Sequence, residues 1–76
     1  MKYFLRIGDD TLDDVIECRS LRDARLEYAE VARELDQYGQ KICASVHIAE
    51  TADDCAEYPD YFLELGPRGG INCQRV

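Results

Sequence analysis

The sequence predicts a small α+β domain, in which a mostly antiparallel sheet carries one amphipathic helix on one of its faces. Two observations predict this fold. Short apolar segments bounded by Gly, Pro and Asp recur at both ends of the chain, as strands and tight turns require. A single helical pattern stands between them, so the element order is β-β-α-β-β-β. The chain has 76 residues, and this length predicts a single domain over 1–76.

The first 18 residues predict a β-hairpin. Lys2–Ile7 is rich in aromatic and branched side chains, which is typical of a strand, and Asp14–Cys18 predicts a second, shorter strand. The loop between them, Gly8–Asp13, begins with a Gly-Asp turn signal. Its carboxylates, with the one that follows, are Asp9, Asp10, Asp13 and Asp14.

Residues 21–37 predict the helix. Ser20 with Asp23 resembles a capping box at its start, and Gly39 suits the left-handed position after its end. Apolar residues recur at the spacing of one helix face, at Leu21, Ala24, Tyr28, Val31, Ala32 and Leu35.

The second half of the chain predicts three further strands. Lys41–Ile48 alternates between apolar and polar residues, which indicates a half-buried strand. Ala49–Asp60 is a polar, acidic loop. Tyr61–Leu65 and Ile71–Arg75 predict a hairpin around the glycine-rich turn 66–70.

The sheet face away from the helix is expected to be half solvated or to pair with a second copy. The alternation places Cys43, Ser45 and His47 on this face. Tyr3 and Phe4 are expected to contribute to it as well.

The charge excludes several classes of function. Sixteen Asp and Glu against nine Lys and Arg give a net charge of −7, which repels nucleic acid and anionic membranes and favours a basic protein partner.

No apolar run approaches the roughly 18 residues of a membrane span. Met1–Arg6 lacks the apolar core of a signal peptide, so a cytoplasmic location is expected.

The carboxylates of the predicted helix fall on one side. They form an acidic stripe that consists of Asp23, Glu27, Glu30 and Glu34. At about 100° per residue, this stripe lies on one flank of the apolar face. Arg22, Arg25 and Arg33 lie on the other flank with Leu26. Neighbouring like charges cost about 0.2–0.5 kcal/mol each, so the stripe predicts a partner-binding surface. Two alternatives remain open: acidity that serves only solubility, and neutralisation by arginines of the chain such as Arg6 or Arg75.

The acidic loops extend this predicted surface. Asp53, Asp54 and Glu57 crowd the loop 49–60, and Tyr58 beside them is a residue type common in interfaces. We therefore count the acidic residues of both loops, together with Tyr58, as candidate partner-binding residues.

No catalytic residue, metal or cofactor is predicted. Cys43, Ser45 and His47 lie on the same strand face, where successive residues are about 6.6 Å apart along the strand. This distance is too long for a nucleophile–base hydrogen bond. The four cysteines, Cys18, Cys43, Cys55 and Cys73, have no zinc-ligand spacing. Free thiols are expected in a reducing compartment, with a Cys43–Cys73 disulfide as the less favoured alternative.

Two resemblances bear on function. Tyr3-Phe4, Ile7 and Asp9-Asp10, followed by the run 20–25 and Ala29, are similar to a family of small uncharacterised bacterial domains without an assigned activity. In its acidic stripe and loops, the chain also resembles phage and mobile-element inhibitors of the anti-CRISPR type. That resemblance implies an inhibitor that mimics nucleic acid and blocks a basic site of a Cas effector subunit in the host cytoplasm.

The leading hypothesis is therefore a non-catalytic, acidic protein-binding inhibitor. The alternative is a small bacterial regulatory or structural module that forms a homodimer through the open sheet face. A third hypothesis is a small enzyme or thiol sensor that uses Cys43, Cys73 or His47.

Overall fold

A computed structural model of the chain describes residues 1–8, 15–55 and 58–76. These residues form a five-stranded antiparallel sheet with one helix, in the order β-β-α-β-β-β, which confirms the predicted fold class. The strand order across the sheet is β2-β1-β3-β4-β5. The elements are β1 (Lys2–Ile7), β2 (Ile16–Cys18), α1 (Leu21–Asp36), β3 (Ala44–Ala49), β4 (Tyr61–Leu65) and β5 (Ile71–Arg75).

Both ends of α1 are capped as the sequence predicts. At its start, the Ser20 hydroxyl accepts a hydrogen bond from the Asp23 backbone N–H at 3.2 Å. At its end, Gly39 has a φ of 75°, and the N–H of Gln40 bonds to the Leu35 carbonyl at 3.0 Å. This Schellman arrangement satisfies carbonyls that the last turn leaves without partners, so the helix ends at Asp36, one residue before the predicted bound.

The core lies between α1 and one face of the sheet. Tyr28 is its largest fully buried side chain, and its hydroxyl donates a hydrogen bond to the Ile42 carbonyl. Three of the buried helix residues around Tyr28 are alanines, which let the helix backbone approach the strands closely. The buried cluster consists of Leu5, Cys18, Ala24, Tyr28, Ala32, Ala44, Val46 and Leu63.

Two predicted strand starts are wrong. β2 begins at Ile16, with Val15 before it outside the strand, whereas Asp14, the predicted start, lies outside the described residues. β3 runs over Ala44–Ala49 rather than 41–48. The shift of β3 follows from Gly8, whose φ of 64° turns the chain away just after the last β1–β3 pair, Ile7 with Ala44. Residues 9–14, which include most of the predicted hairpin loop, lie outside the described residues.

The sheet face away from α1 is not the solvated face that the alternation predicts. Ser45 is 3% exposed and His47 is 1% exposed. Ser45 lies between the longer side chains of Arg6 and Phe62 on the neighbouring strands, and His47 lies directly opposite the buried Phe4. Central strand positions flanked by larger side chains are shielded from water, which explains the difference.

Tyr3 and Cys43 have separate outcomes. Tyr3 packs against the core cluster on the helix side of the sheet, so its expected place on the outer face is wrong. Cys43, just before β3, is exposed as expected.

The Tyr28 hydrogen bond gives a direct test of the core. Tyr28→Phe removes a donor to the Ile42 carbonyl and should lower the free energy of unfolding by about 1–3 kcal/mol, measured by urea denaturation. Tyr38→Phe is the matched control because Tyr38 is 76% exposed, and it should change stability by less than about 0.5 kcal/mol. Equal effects of the two changes would contradict the burial of this phenol.

Candidate functional site

The four carboxylates predicted on one side of the helix form an exposed surface, called here the acidic flank. It consists of Asp23, Glu27, Glu30 and Glu34. The three glutamates are exposed and Asp23 is partly exposed. The 16-residue helix presents them as one row because residues three and four apart share a face.

No basic side chain neutralises the acidic flank. The ion pairs among the described residues are Lys2–Glu17 at 3.1 Å and Lys41–Asp36 at 3.5 Å. All nine Lys and Arg of the chain lie in the described ranges, and none of them pairs with the flank within these ranges. The alternative, in which Arg6 or Arg75 neutralises the acidic flank, is therefore wrong.

The field of the acidic flank reaches the core at Cys18. Burial raises the pKa of the Cys18 thiol, and the negative charges of Glu27, Asp23 and Glu17 raise it further. Asp23 and Glu27 of the acidic flank therefore lie on the β2 side of the molecule. The same environment keeps Cys18 in its thiol form, which is a poor nucleophile and metal ligand.

The acidic loop contributes separate carboxylates. Asp53 and Asp54 are exposed on a short 3-10 turn at Ala52–Asp54, where the Thr51 hydroxyl donates to Asp54 Oδ2 at 2.8 Å. Tyr58 is strongly exposed. The other predicted partner-binding residues, Asp9, Asp10, Asp13, Asp14 and Glu57, lie outside the described residues.

Asp60 has a structural role that the sequence did not indicate. Its carboxylate accepts a hydrogen bond from the Ile48 N–H at 2.7 Å, and its own N–H donates to the Val46 carbonyl at 2.8 Å. Its carbonyl accepts from the Val76 N–H at 3.0 Å. These three hydrogen bonds join β3 to the start of β4 and the end of β5. They depend on which strands are neighbours and in which register, so the sequence alone did not indicate them.

The opposite flank of α1 forms a basic groove against β5. The groove encloses about 270 Å³, and two of its arginines reach backbone carbonyls, Arg25 to Ile71 at 3.4 Å and Arg33 to Gly69 at 3.0 Å. Leu26 is 57% exposed within it. The sequence predicts these arginines on one flank, but their position beside β5 follows from the fold. The groove is lined by Arg22, Arg25, Leu26, Ala29, Arg33 and Ile71.

The residues considered for chemistry are dispersed. Cys43 is exposed before β3, whereas His47 is buried within that strand. All four cysteines are free thiols, so the alternative Cys43–Cys73 disulfide is not formed. Within residues 1–8, 15–55 and 58–76, no cluster of three or more His, Cys, Asp and Glu side chains has the geometry to hold a metal ion.

Comparisons give no relative from which a role can be carried over. No protein-family model, no curated protein and no solved structure matches the chain. Among the described residues, no helix is long and apolar enough to span a membrane.

The repulsion along the acidic flank should be measurable. Glu30→Gln removes like-charge contacts with Glu27 and Glu34, and should raise the free energy of unfolding by about 0.4–1 kcal/mol at low salt. The gain should shrink in about 1 M NaCl because the Debye length falls to about 3 Å. A loss of stability on Glu30→Gln would show that a favourable partner of this carboxylate exists within the protein.

The raised thiol and phenol pKa values predict alkaline destabilisation. Burial is the largest cause of the raised pKa values of Cys18, Tyr28 and Cys55, whose ordinary values are 9.0, 10.0 and 9.0. The unfolded chain loses these protons first, so their contribution is complete below about pH 9 and is lost as pH rises through the folded-state pKa values.

Chemical denaturation between pH 8 and 11 measures this loss. Cys18→Ala should make the decline with pH shallower, whereas replacement of the exposed Cys43 by Ala serves as the control for thiol removal. An unchanged slope for Cys18→Ala would contradict the assignment of part of the decline to this thiol.

Proposed function

We propose that the protein acts by binding, without chemistry, and that the acidic flank of α1 docks onto a basic site of another protein. The observation that carries this proposal is the absence of any ion pair between the flank and the nine Lys and Arg side chains, all of which are described. Charges left uncompensated at a cost in stability are expected where a partner supplies the compensation.

The spacing of the flank suits a site that otherwise holds nucleic acid. From Asp23 to Glu34 the carboxylates extend over about 16.5 Å of helix axis. Their linear charge density is of the same order as that of one DNA strand, which carries a charge about every 3.4 Å. A groove lined with Arg and Lys to bind phosphates therefore meets a comparable row of anions on a rigid helix.

A basic subunit of a Cas effector complex is the partner that we propose. This assignment rests on the resemblance in type to anti-CRISPR inhibitors, and the acidic flank is the feature that supports it. Long-range attraction between the net charge of −7 and such a site speeds encounter and weakens with salt. Inhibition should therefore be strongest at low ionic strength.

Competition for DNA tests the proposal. Labelled duplex DNA bound to a guide-loaded Cas effector is titrated with the protein, and displacement is followed by fluorescence anisotropy. The protein should displace the DNA, and the double variant Glu27→Lys with Glu30→Lys should do so at least about 100-fold less well, because close charge pairs across interfaces are each worth about 1.5 kcal/mol or more.

The control keeps the total charge equal. Glu50→Lys with Glu64→Lys also changes two exposed glutamates, and each pair of changes moves the net charge from −7 by +4 to −3. The control should compete like the unmodified protein. Equal loss in both variants would mean that only total charge matters, and undiminished competition by the flank variant would reject the flank as the binding surface.

The structure favours this hypothesis over the homodimer. Dimerisation through the sheet was expected to use a solvated outer face, yet Phe4, Ser45 and His47 are buried there. Among the residues of the described strands, Phe62 is the large hydrophobic residue that this face exposes. A single exposed apolar side chain offers little area for a stable dimer.

A further inference from the structure

The fold leaves one edge of the sheet uncovered beside the basic groove. β5 is the last strand in the order β2-β1-β3-β4-β5, so within the described residues no strand pairs with its outer side. Unpaired edges of this kind are either protected against pairing or used to bind an extended segment.

The backbone groups that β5 offers are defined by its register. The pairs Gly66–Gly70 and Asp60–Val76 are hydrogen bonded, and hydrogen-bonded pairs alternate along an antiparallel ladder. The N–H and C=O groups of Ile71, Cys73 and Arg75 therefore point away from β4. The hydrogen bond from Arg25 to the Ile71 carbonyl confirms this direction.

The groove beside this edge is basic with an apolar floor. Arg22, Arg25 and Arg33 line it, and none of them forms an ion pair with a carboxylate of the described residues. Leu26 and Ala29 supply apolar surface between the arginines. On a protein of net charge −7, this is a concentration of positive charge beside the outward backbone groups of β5, of which the Ile71 carbonyl accepts a hydrogen bond from Arg25.

We propose that β5 and the basic groove bind an extended acidic segment of a partner protein by strand addition. The backbone of the segment pairs with Ile71, Cys73 and Arg75, and its N–H replaces Arg25 at the Ile71 carbonyl, which frees Arg25 for a carboxylate. Every second side chain of the segment faces the groove. Carboxylates at the two outer groove-facing positions meet the arginines, and an apolar side chain between them covers Leu26.

The dimensions of helix and strand agree with this arrangement. Arg22 and Arg33 are separated by about 16.5 Å along the helix axis at about 1.5 Å per residue. The first and fifth residues of a strand are separated by four steps of about 3.3 Å, or about 13 Å. In a five-residue segment with the pattern acidic, any, apolar, any, acidic, the outer positions are thus about 3 Å closer together than the outer arginines, and the long, flexible arginine side chains cover this difference.

Charge disfavours the pairing of β5 with β5 of a second copy of the chain. Pairing of β5 with β5 of another molecule would bring two sets of three groove arginines together, and like charges across an interface are unfavourable. If the arginines served only to protect the edge of the sheet from pairing, the groove would bind no strand. The peptide titration distinguishes this outcome.

The experiment uses a synthetic peptide and the full chain. The probe is Thr-Glu-Thr-Leu-Thr-Glu-Thr, blocked at both ends, titrated into isotopically labelled protein and followed by NMR and calorimetry. Chemical shift changes should centre on the amides of Ile71, Cys73 and Arg75, and affinity should fall as salt is raised.

Variants and control peptides make the result decisive. Arg25→Gln with Arg33→Gln should weaken binding at least about tenfold, or about 1.4 kcal/mol, because the change removes charge-assisted hydrogen bonds to the carboxylates. Lys2→Gln with Arg19→Gln removes the same charge at exposed positions outside the groove and should leave binding unchanged. A peptide with Lys in place of Glu, or with N-methyl groups on the β5-facing amides, should not bind.

The proposal is overturned by any of three results. The first is no shift at the β5 amides at millimolar peptide, which would leave the arginines as edge protection only. The second is equal binding by the Lys peptide or by the groove variant. The third is a concentration-dependent dimer in sedimentation velocity that the groove variant abolishes, which would make a second copy the occupant. Because the acidic flank is intact in these variants, the outcome is independent of the DNA competition test.

Discussion

The structure depends on one helix packing across a five-stranded sheet. Tyr28 is fully buried, and its hydroxyl donates a hydrogen bond to the Ile42 carbonyl, so this residue fixes α1 against the strands. The buried residues beside it are alanines, whose small side chains make the contact between helix and sheet narrow. A narrow contact leaves both sides of the helix outside the core. With no second helix beside it in the described residues, these two sides are free to carry opposite charges.

The charges on these sides are arranged against the stability of the helix. A helix selected for solubility alone would alternate Glu with Lys and gain a few tenths of a kcal/mol for each pair. The acidic flank instead places Glu27, Glu30 and Glu34 next to one another on the helix surface, and their repulsion lowers the stability by about 1 kcal/mol in total. This cost is small against a typical stability of about 5–15 kcal/mol, so a small domain can retain it where binding benefits.

Local patterns predicted most of the fold, and the remainder depended on long-range register. The helix bounds followed from Ser20 and Gly39, and the acidic flank followed from helical geometry alone. The alternation in β3 separated its two faces but did not indicate that Ser45 and His47 would be buried, because their cover comes from residues on other strands. The position of the arginines beside β5 likewise required the strand order.

The opposed flanks have a consequence for how the molecule approaches any charged object. Negative groups of α1 lie on its β2 side and positive groups on its β5 side, so the charges of the helix form a dipole directed across the sheet. Within about a Debye length, about 8 Å at physiological salt, an external field exerts a torque that turns the protein before contact. A charged surface therefore turns the helix before contact, and the sign of its potential selects which side of α1 faces it.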